Sequence, residues 1–473
     1  MKKLFKLAIV CLWSVMAFAS CDKYTEEEFC PICIDMVSAD RNSIIMTVIV
    51  NESYLQLNYC EFGAVCTTSP TTPSGDAGVY PIKTHLGSKG VYQLEFSGSF
   101  PESRYYVHPY TTSHESGKAR YHDCVEVVMG GAPVVPDGDG FINLSANGTA
   151  NCYIVNGSGK YKFRPVKGNS DETLDVKSVE VLWESFGTDE TPEVGALIPY
   201  AEYRDFDADG YFDVYFNATD RKGNAVIAAK DASGSILWSW HIWLTDQPVE
   251  CVYANNAGTM MDRNLGATSA TPGDVGALGL LYQWGRKDPF LGSSSISDNV
   301  DAQSTISWPS AIESDGLNGT ILYATQCPTQ FIMYNTINYD WYYTGDSNTD
   351  DTRWQSNKTI YDPCPAGWRV LDGGSDGVWA KAGFLSGFHS YDSIDKGMLF
   401  DIDFSSPASW YSAAGFRYDG DGELFGVGYY GYYWSITPDD SYVYSLYFRD
   451  DGSIIHWNNF YRANGQSVRC LKE

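Results

Sequence analysis

From residue 35 onward the chain consists of short β-branched and aromatic runs, each cut short by a cluster of Gly, Pro, Asp or Ser. Ile44–Val50 is a β-branched run, Val91–Phe96 alternates, and Arg104–Thr112 carries Tyr105, Val107 and Pro109 on one face of an extended strand. Turn clusters at Thr71–Gly78 and Gly87–Gly90 separate them. Runs of this length and period specify strands and leave little room for long helices. The aromatic residues, 15% of the chain with 34 Tyr and 14 Trp, fall in these runs. The expected class is therefore mostly β, and 473 residues suffice for roughly three domains of ~100–200 residues each.

The organisation reads in five parts. Residues 1–20 combine a basic start (Lys2, Lys3, Lys6) with an apolar run from Leu7 to Ala19 and the small residues Ala19 and Ser20 before Cys21. That is a secretory signal, too short to span ~30 Å of hydrocarbon. A cysteine at the first mature position is the pattern of a bacterial lipoprotein signal, so Cys21 is the expected lipid-attachment residue and the outer membrane, lipid-anchored at the cell surface, the expected location. Residues 21–34 form an acidic tether with Glu26, Glu27 and Glu28. Residues 35–130 are sandwich-sized, Gly130–Gly140 reads as a linker, and residues 140–248 form a second sandwich. Its strands are expected at Ala150–Val155, Lys160–Val166, Val179–Trp183, Tyr211–Phe216, Asn224–Lys230 and Ile236–Leu244. In the last, Trp238, Trp240, Ile242 and Leu244 share one face, which predicts a half-buried strand with His241 outward. Residues 250–473 change to Gly-rich loops, with helix expected over Asp376–Gly383 and a helical turn over Leu278–Trp284.

Removing Lys2, Lys3 and Lys6 with the signal leaves 29 basic against 59 acidic residues, a net of −30. Such a balance excludes nucleic acid and anionic lipid as electrostatic partners, because both are polyanions. Of 12 cysteines, Cys11 leaves with the signal and Cys21 is acylated. The remaining ten are too sparse to replace a core, and some should pair in an oxidising compartment. Cys30 and Cys33 form a lone CxxC without a second pair at metal spacing.

Several segments resemble known families. The acidic stretch behind Cys21 resembles the export signal of surface-displayed lipoproteins of Bacteroidetes. Arg104-Tyr105-Tyr106-Val107-His108-Pro109-Tyr110, with Phe62–Val65 and Ser69–Thr71 upstream, resembles bacterial fibronectin type III-like domains. The segments Asn151–Val155, Tyr161–Phe163 and Gly223–Asp246 resemble fimbrillin-like β-sandwiches of Bacteroidales surface proteins. Met261–Phe290, Tyr361–Val370, Ser412–Arg417, Tyr432–Thr437 and Gly465–Cys470 resemble, in order, the Fibrobacter succinogenes major paralogous domain, which implies a C-type-lectin-like α+β fold also found in formylglycine-generating enzymes. The expected architecture is thus two β-sandwiches followed by an α+β C-type-lectin-like domain. Cys364 and Cys470 bracket the second half of that domain and are its disulfide candidate.

The inventory for catalysis is thin. Only His241, His389 and His456 of seven histidines lie beyond residue 122, and there is no HExxH, GxSxG or Walker loop. The redox cysteine pair of a formylglycine-generating enzyme has no counterpart near Cys470. The expectation is no enzyme and no required cofactor, with calcium as the one candidate ion. Asp205, Asp207, Asp209 and Asp213 follow the start of a calcium loop, yet Phe216 stands where a bidentate Glu is needed. A hairpin turn explains the same run and is the preferred reading. Asp419–Gly422 reads as a turn likewise.

Trp457, Asn458 and Asn459 stand before Cys470 much as the Trp-Asn-Asp triplet stands in calcium-dependent C-type lectins, with Asn459 replacing the Asp. Tyr430 and Tyr432 alternate on one strand face and offer large contact area at low entropy cost. These five residues are the candidate ligand contacts. The expected function is a surface-displayed, lipid-anchored adhesin or minor, tip-type fimbrial component that binds through its C-terminal domain. Its expected partners are an extracellular protein or glycan and fimbrial subunits. The alternative is a glycan-capturing surface lipoprotein of a polysaccharide-uptake system.

Overall fold

The computed structural model describes strand segments between residues 32 and 128, and residues 140–473 apart from 206–211, 385–387 and 402–408. Cys21 lies outside the described residues. The protein is mostly β and multidomain, and it divides into two compact units, Met1–Val135 and Pro136–Glu473.

In the first unit, Ile32–Ala39, Ser43–Val50 and Gly90–Ser97 form an antiparallel sheet. Tyr59–Thr67 and Arg104–Ser113 form the centre of a second sheet, flanked by Tyr80–Thr84, Ala119–Tyr121 and Val125–Val128. Strands that alternate Val/Tyr with polar residues bury one row of side chains, and Val65, Tyr105 and Val107 are buried accordingly.

The second unit begins with two four-stranded sheets. One orders Cys152–Val155, Ile236–Leu244, Gly223–Lys230 and Ser178–Ser185; the other orders Tyr200–Arg204, Asp213–Ala218, Gly159–Phe163 and Ile142–Asn143. Between them Tyr153, Phe163, Phe216, Ile227, Trp238, Trp240 and Ile242 form a core. The outer face of the first sheet is not solvated. Cys152, Trp183, Val226 and Trp243 pack into a second core with Leu265, Leu280, Trp284, Trp354, Trp368 and Trp434 of the C-terminal region. The strand expected to be half-buried is therefore buried on both faces, and His241 is only 2% exposed. Its cover comes from residues far along the chain, which a local period cannot report.

The C-terminal region closes on itself, since Gly258–Met261 pairs with Glu250–Tyr253 and with Cys470–Lys472, which in turn pairs with Trp368–Val370. A long sheet orders Leu424–Phe425, Phe416–Arg417, Gly465–Ser467, Tyr430–Asp439, Tyr442–Arg449 and Ile454–Tyr461, with Leu281–Gln283 on Gly465–Ser467. The helix expected over 376–383 is present as Val378–Ala382, ended by Gly383 at φ 82°. Leu278–Trp284 is not a helical turn but contains the strand Leu281–Gln283. Its apolar residues are buried beneath Gly465–Ser467, which supplies the ladder partners a helix would forgo. A second short helix, Ile321–Gln326, is capped by Thr320, whose Oγ1 accepts from Tyr323 N at 3.1 Å.

Candidate functional site: an aromatic face on the long sheet

The motif residues of the C-terminal region are mostly interior. Trp284 Nε1 donates to Ser435 O at 2.9 Å, and Arg469 stacks on Tyr411 with its Nη2 donating to Asn264 Oδ1 at 2.9 Å. Lys287 Nζ donates to Asp288 Oδ1 at 2.7 Å and to Ser239 Oγ at 2.6 Å, across the seam to the sandwich. Asp362 accepts from Lys358 Nζ, Cys364 N and Val370 N at 2.6–2.9 Å. Buried charges retained as complete hydrogen-bonded sets hold the fold together and face no solvent. Cys364 and Cys470 are joined by a disulfide with a Cα–Cα distance of 6.0 Å. These residues therefore build the domain and do not line a binding face.

An accessible aromatic patch lies on the long sheet. Tyr430 and Tyr432 sit on Tyr430–Asp439, opposite Arg449 and Tyr447 of the neighbouring strand. Tyr432 is only 7% exposed, enclosed by Phe460 at 4.4 Å, Phe416 at 4.9 Å and Tyr447 at 5.0 Å between ring centroids. It supports the face rather than presenting one, and burial pushes its hydroxyl well above the ordinary tyrosine range. Tyr430 is the accessible member. Phe425, 53% exposed, stacks on it at 6.3 Å and 9°, Tyr447 follows at 6.1 Å, and the Arg449 guanidinium lies over the ring at 5.6 Å. Ile455, paired with Tyr447, extends the patch.

The Tyr430 ring is fixed from below by Gly426. At φ 73° a side chain there is strained, and a Cβ would stand 2.2 Å from the ring. Rigid rings beside an Arg offer large contact area with little ordering entropy, the usual composition of an interface anchor. Phe425, Tyr447, Arg449 and Ile455 were not among the expected contacts. The alternation of Val443, Ser445, Tyr447 and Arg449 was the readable signal.

The triplet lies on the same strand as Ile455. Trp457, 46% exposed, lies mid-strand with its ring against His456 at 4.3 Å. Asn459 is exposed and donates to Asp439, and the carbonyl of half-buried Asn458 accepts from Ser445 Oγ at 3.2 Å. Trp457 thus lies within a strand, the Asn459 side-chain amide is spent on Asp439, and Asn458 joins the neighbouring strand through its backbone carbonyl.

Asp205 and Asp213 flank the connection of a hairpin, because Arg204 pairs with Asp213; Asp207 and Asp209 lie outside the described residues. Asp419–Gly422 forms a turn in which Gly422 N donates to Tyr418 O at 2.8 Å. Burial raises the Asp419 carboxyl to about 6. Among the described residues, no three His, Cys, Asp or Glu side chains converge to hold a metal ion.

No protein-family model and no curated protein matches the chain. Among solved structures it is similar to pectate lyase Pel3 from Pectobacterium carotovorum, at 12% identity over 26% of this chain and 31% of that one, with a TM-score of 0.15. It is similar to the FN1-FN3 domains of chicken CNTN1, at 10% identity over 45% of this chain and 66% of that one, with a TM-score of 0.17. It is also similar to an alfa-L-rhamnosidase from Aspergillus terreus, at 9% identity over 44% of this chain and 28% of that one, with a TM-score of 0.17. The chain spans less than two thirds of each of these proteins, and likenesses at such scores carry no argument about function.

Proposed function

We propose that this protein is a surface-displayed, lipid-anchored adhesin or minor fimbrial component that binds an extracellular protein through the aromatic face of its C-terminal region. The observation that carries the reading is the open row Phe425–Tyr430–Tyr447 with Arg449, held rigid on a sheet whose opposite side is core. Three features support it. Cys21 behind a secretory signal suits a lipid anchor, the first unit's two sheets suit a spacer of the fibronectin type III-like kind, and the acidic surface suits display outside the cell. The motif resemblance to the Fibrobacter succinogenes major paralogous domain assigns the terminal position to a C-type-lectin-like module.

Attachment of cells displaying the full chain to immobilised extracellular-matrix proteins tests this reading. Tyr430→Ala and Phe425→Ala are expected to reduce attachment at least tenfold at equal surface display, and Cys21→Ala to abolish palmitate labelling and display together. Unchanged attachment by both aromatic variants would remove the site from the proposal, and display without Cys21 would remove the anchor.

A further inference from the structure

A recess lies where the sandwich meets the C-terminal region. It encloses about 360 Å³, lined among others by Asn147, Thr149, Arg164, Asn169, Asp171 and Gly367. The volume falls at the lower end of the ~300–1,000 Å³ range of small-molecule sites, yet the lining lacks the aromatic and large aliphatic groups those sites use. We infer that this cleft is a binding site for a neutral oligosaccharide, independent of the aromatic face.

The chemistry selects that class. Sugar hydroxyls donate and accept at once, and the cleft offers both roles side by side. Among the described residues the Asn147 amide takes no protein hydrogen bond. Asn169 uses its Nδ2 on Lys358 O at 2.8 Å and leaves its Oδ1 available. Thr149 Oγ1 donates to Ser170 O at 3.2 Å and retains its lone pairs. Arg164 holds Asp171 through one nitrogen at 3.1 Å, leaving further N–H groups and a carboxylate oxygen at the rim.

An anion fits poorly. Lys358 directs its ammonium at Asp362 Oδ1, Cys364 O and Trp368 O at 2.6–2.9 Å, and Arg164 is already neutralised by Asp171. A metal ion fits no better, because no three ligating groups converge among the described residues. A hydrophobic molecule would find little beyond Ala366 to cover.

The cleft is also preformed. Asn151 Nδ2 donates to Ile360 O at 2.7 Å and Asp362 O at 2.9 Å, tying the two walls together. At Gly168, φ 54°, a Cβ would approach Ile360 O to 2.4 Å, so the seam below the cleft closes only over glycine. Walls fixed before binding lose little entropy on binding.

The test is retention of the full chain on an array of neutral and anionic oligosaccharides, followed by titration with the best neutral binder. Retention of a neutral glycan is expected, with at least a tenfold loss of affinity in N147A/D171A. Both residues are exposed, so an unchanged melting temperature confirms an intact fold. Tyr430→Ala is expected to leave this affinity unchanged. The inference is overturned if only sialylated or sulfated glycans are retained, if none is retained, or if N147A/D171A binds as the parent does. Loss in Tyr430→Ala alone would move glycan binding to the aromatic face and overturn the cleft while leaving that face in place.

Discussion

Strands Ile236–Leu244 and Tyr430–Asp439 both alternate large rings with smaller residues, and the fold treats them differently. In the first, Trp238 and Trp240 enter the sandwich core while Trp243, on the opposite face, enters the core shared with the C-terminal region. In the second, Tyr433 and Trp434 are buried in two different cores, yet one end of the strand stays open at Tyr430. A strand sealed on both sides can only hold the unit together. A strand sealed on one side and half open on the other can hold and also present. The difference lies not in the strands but in whether a distant segment covers the second face.

The sharpest way to break that comparison is to charge the sealed side. His241 Nε2 lies 2.9 Å from Asn224 Oδ1, and the Asn224 Nδ2 donates to Gly266 O at 2.9 Å, which orients the amide and places the imidazole proton on Nε2. Nδ1 has no partner, and burial pushes the group down to about 3. The folded pKa is depressed, so the neutral imidazole contributes stability in full above its unfolded pKa near 6.5 and loses it as pH falls toward 3. At ~1.4 kcal/mol per unit the loss is on the order of 5 kcal/mol. Urea unfolding of the parent and of His241→Gln between pH 7 and 4 should show a steep fall in the parent and a shallow one in the variant. Parallel curves would mean that water reaches His241 and that the seam is open.

The disulfide tests the same seam covalently. Cys364 and Cys470 lie within the shared core and close a loop with a sequence separation of 106. Replacing both with serine should cost about 4–5 kcal/mol in the chain-entropy account. Trp243→Ala removes a buried indole whose Nε1 donates to Ala267 O at 2.9 Å, and should cost roughly 3–5 kcal/mol. In each variant the sandwich and C-terminal region are expected to unfold in one transition. Two separated transitions in calorimetry would show that the regions are independent. Tyr430→Ala, on the open side, should cost only about 1 kcal/mol because its ring is already part-solvated, which makes it the clean variant for binding experiments.

Much of the fold was legible. The strand expected at Asn224–Lys230 is found at Gly223–Lys230, and Ile236–Leu244 is found unchanged, because β-branched and aromatic residues with period two have few alternatives to a strand. The helix expected over Asp376–Gly383, after Ser375 as its cap, is found shorter as Val378–Ala382 with Gly377 at the cap position. The outward face of Trp243 and His241 was not legible, since its cover includes Leu265, Trp354 and Trp434. Ile321–Gln326 escaped because six residues carry too little periodicity to register. At the site, Tyr430 was legible from alternation, whereas the burial of Tyr432 depends on Phe416 and Phe460, which arrive from other strands. The cleft had no sequence signal, being assembled from segments near residues 147, 169 and 366.

The smallest expected effect distinguishes the open side by the sign of its pH response. Asp419 lies on the turn between Phe416–Arg417 and Leu424–Phe425, and its backbone N donates to Asn464 Oδ1 at 3.2 Å. Burial and the nearby Asp421 raise its carboxyl to about 6, above the unfolded value near 4. The folded state therefore holds the proton more tightly, so this group's contribution is present below pH 4 and is lost as pH rises through 6. The loss is on the order of 1 kcal/mol, well short of full linkage, because water at the rim of the turn screens the carboxylate. Asp419→Asn should abolish this term and make the variant slightly more stable than the parent at pH 7 while leaving them equal near pH 4. His241→Gln and Asp419→Asn thus bend the stability curve in opposite directions, one from the sealed strand and one from the hairpin that carries Phe425. If Asp419→Asn lost stability at pH 7, the carboxylate would be held by a favourable partner, and the turn of that hairpin would be a built ionic site instead of a buried acid.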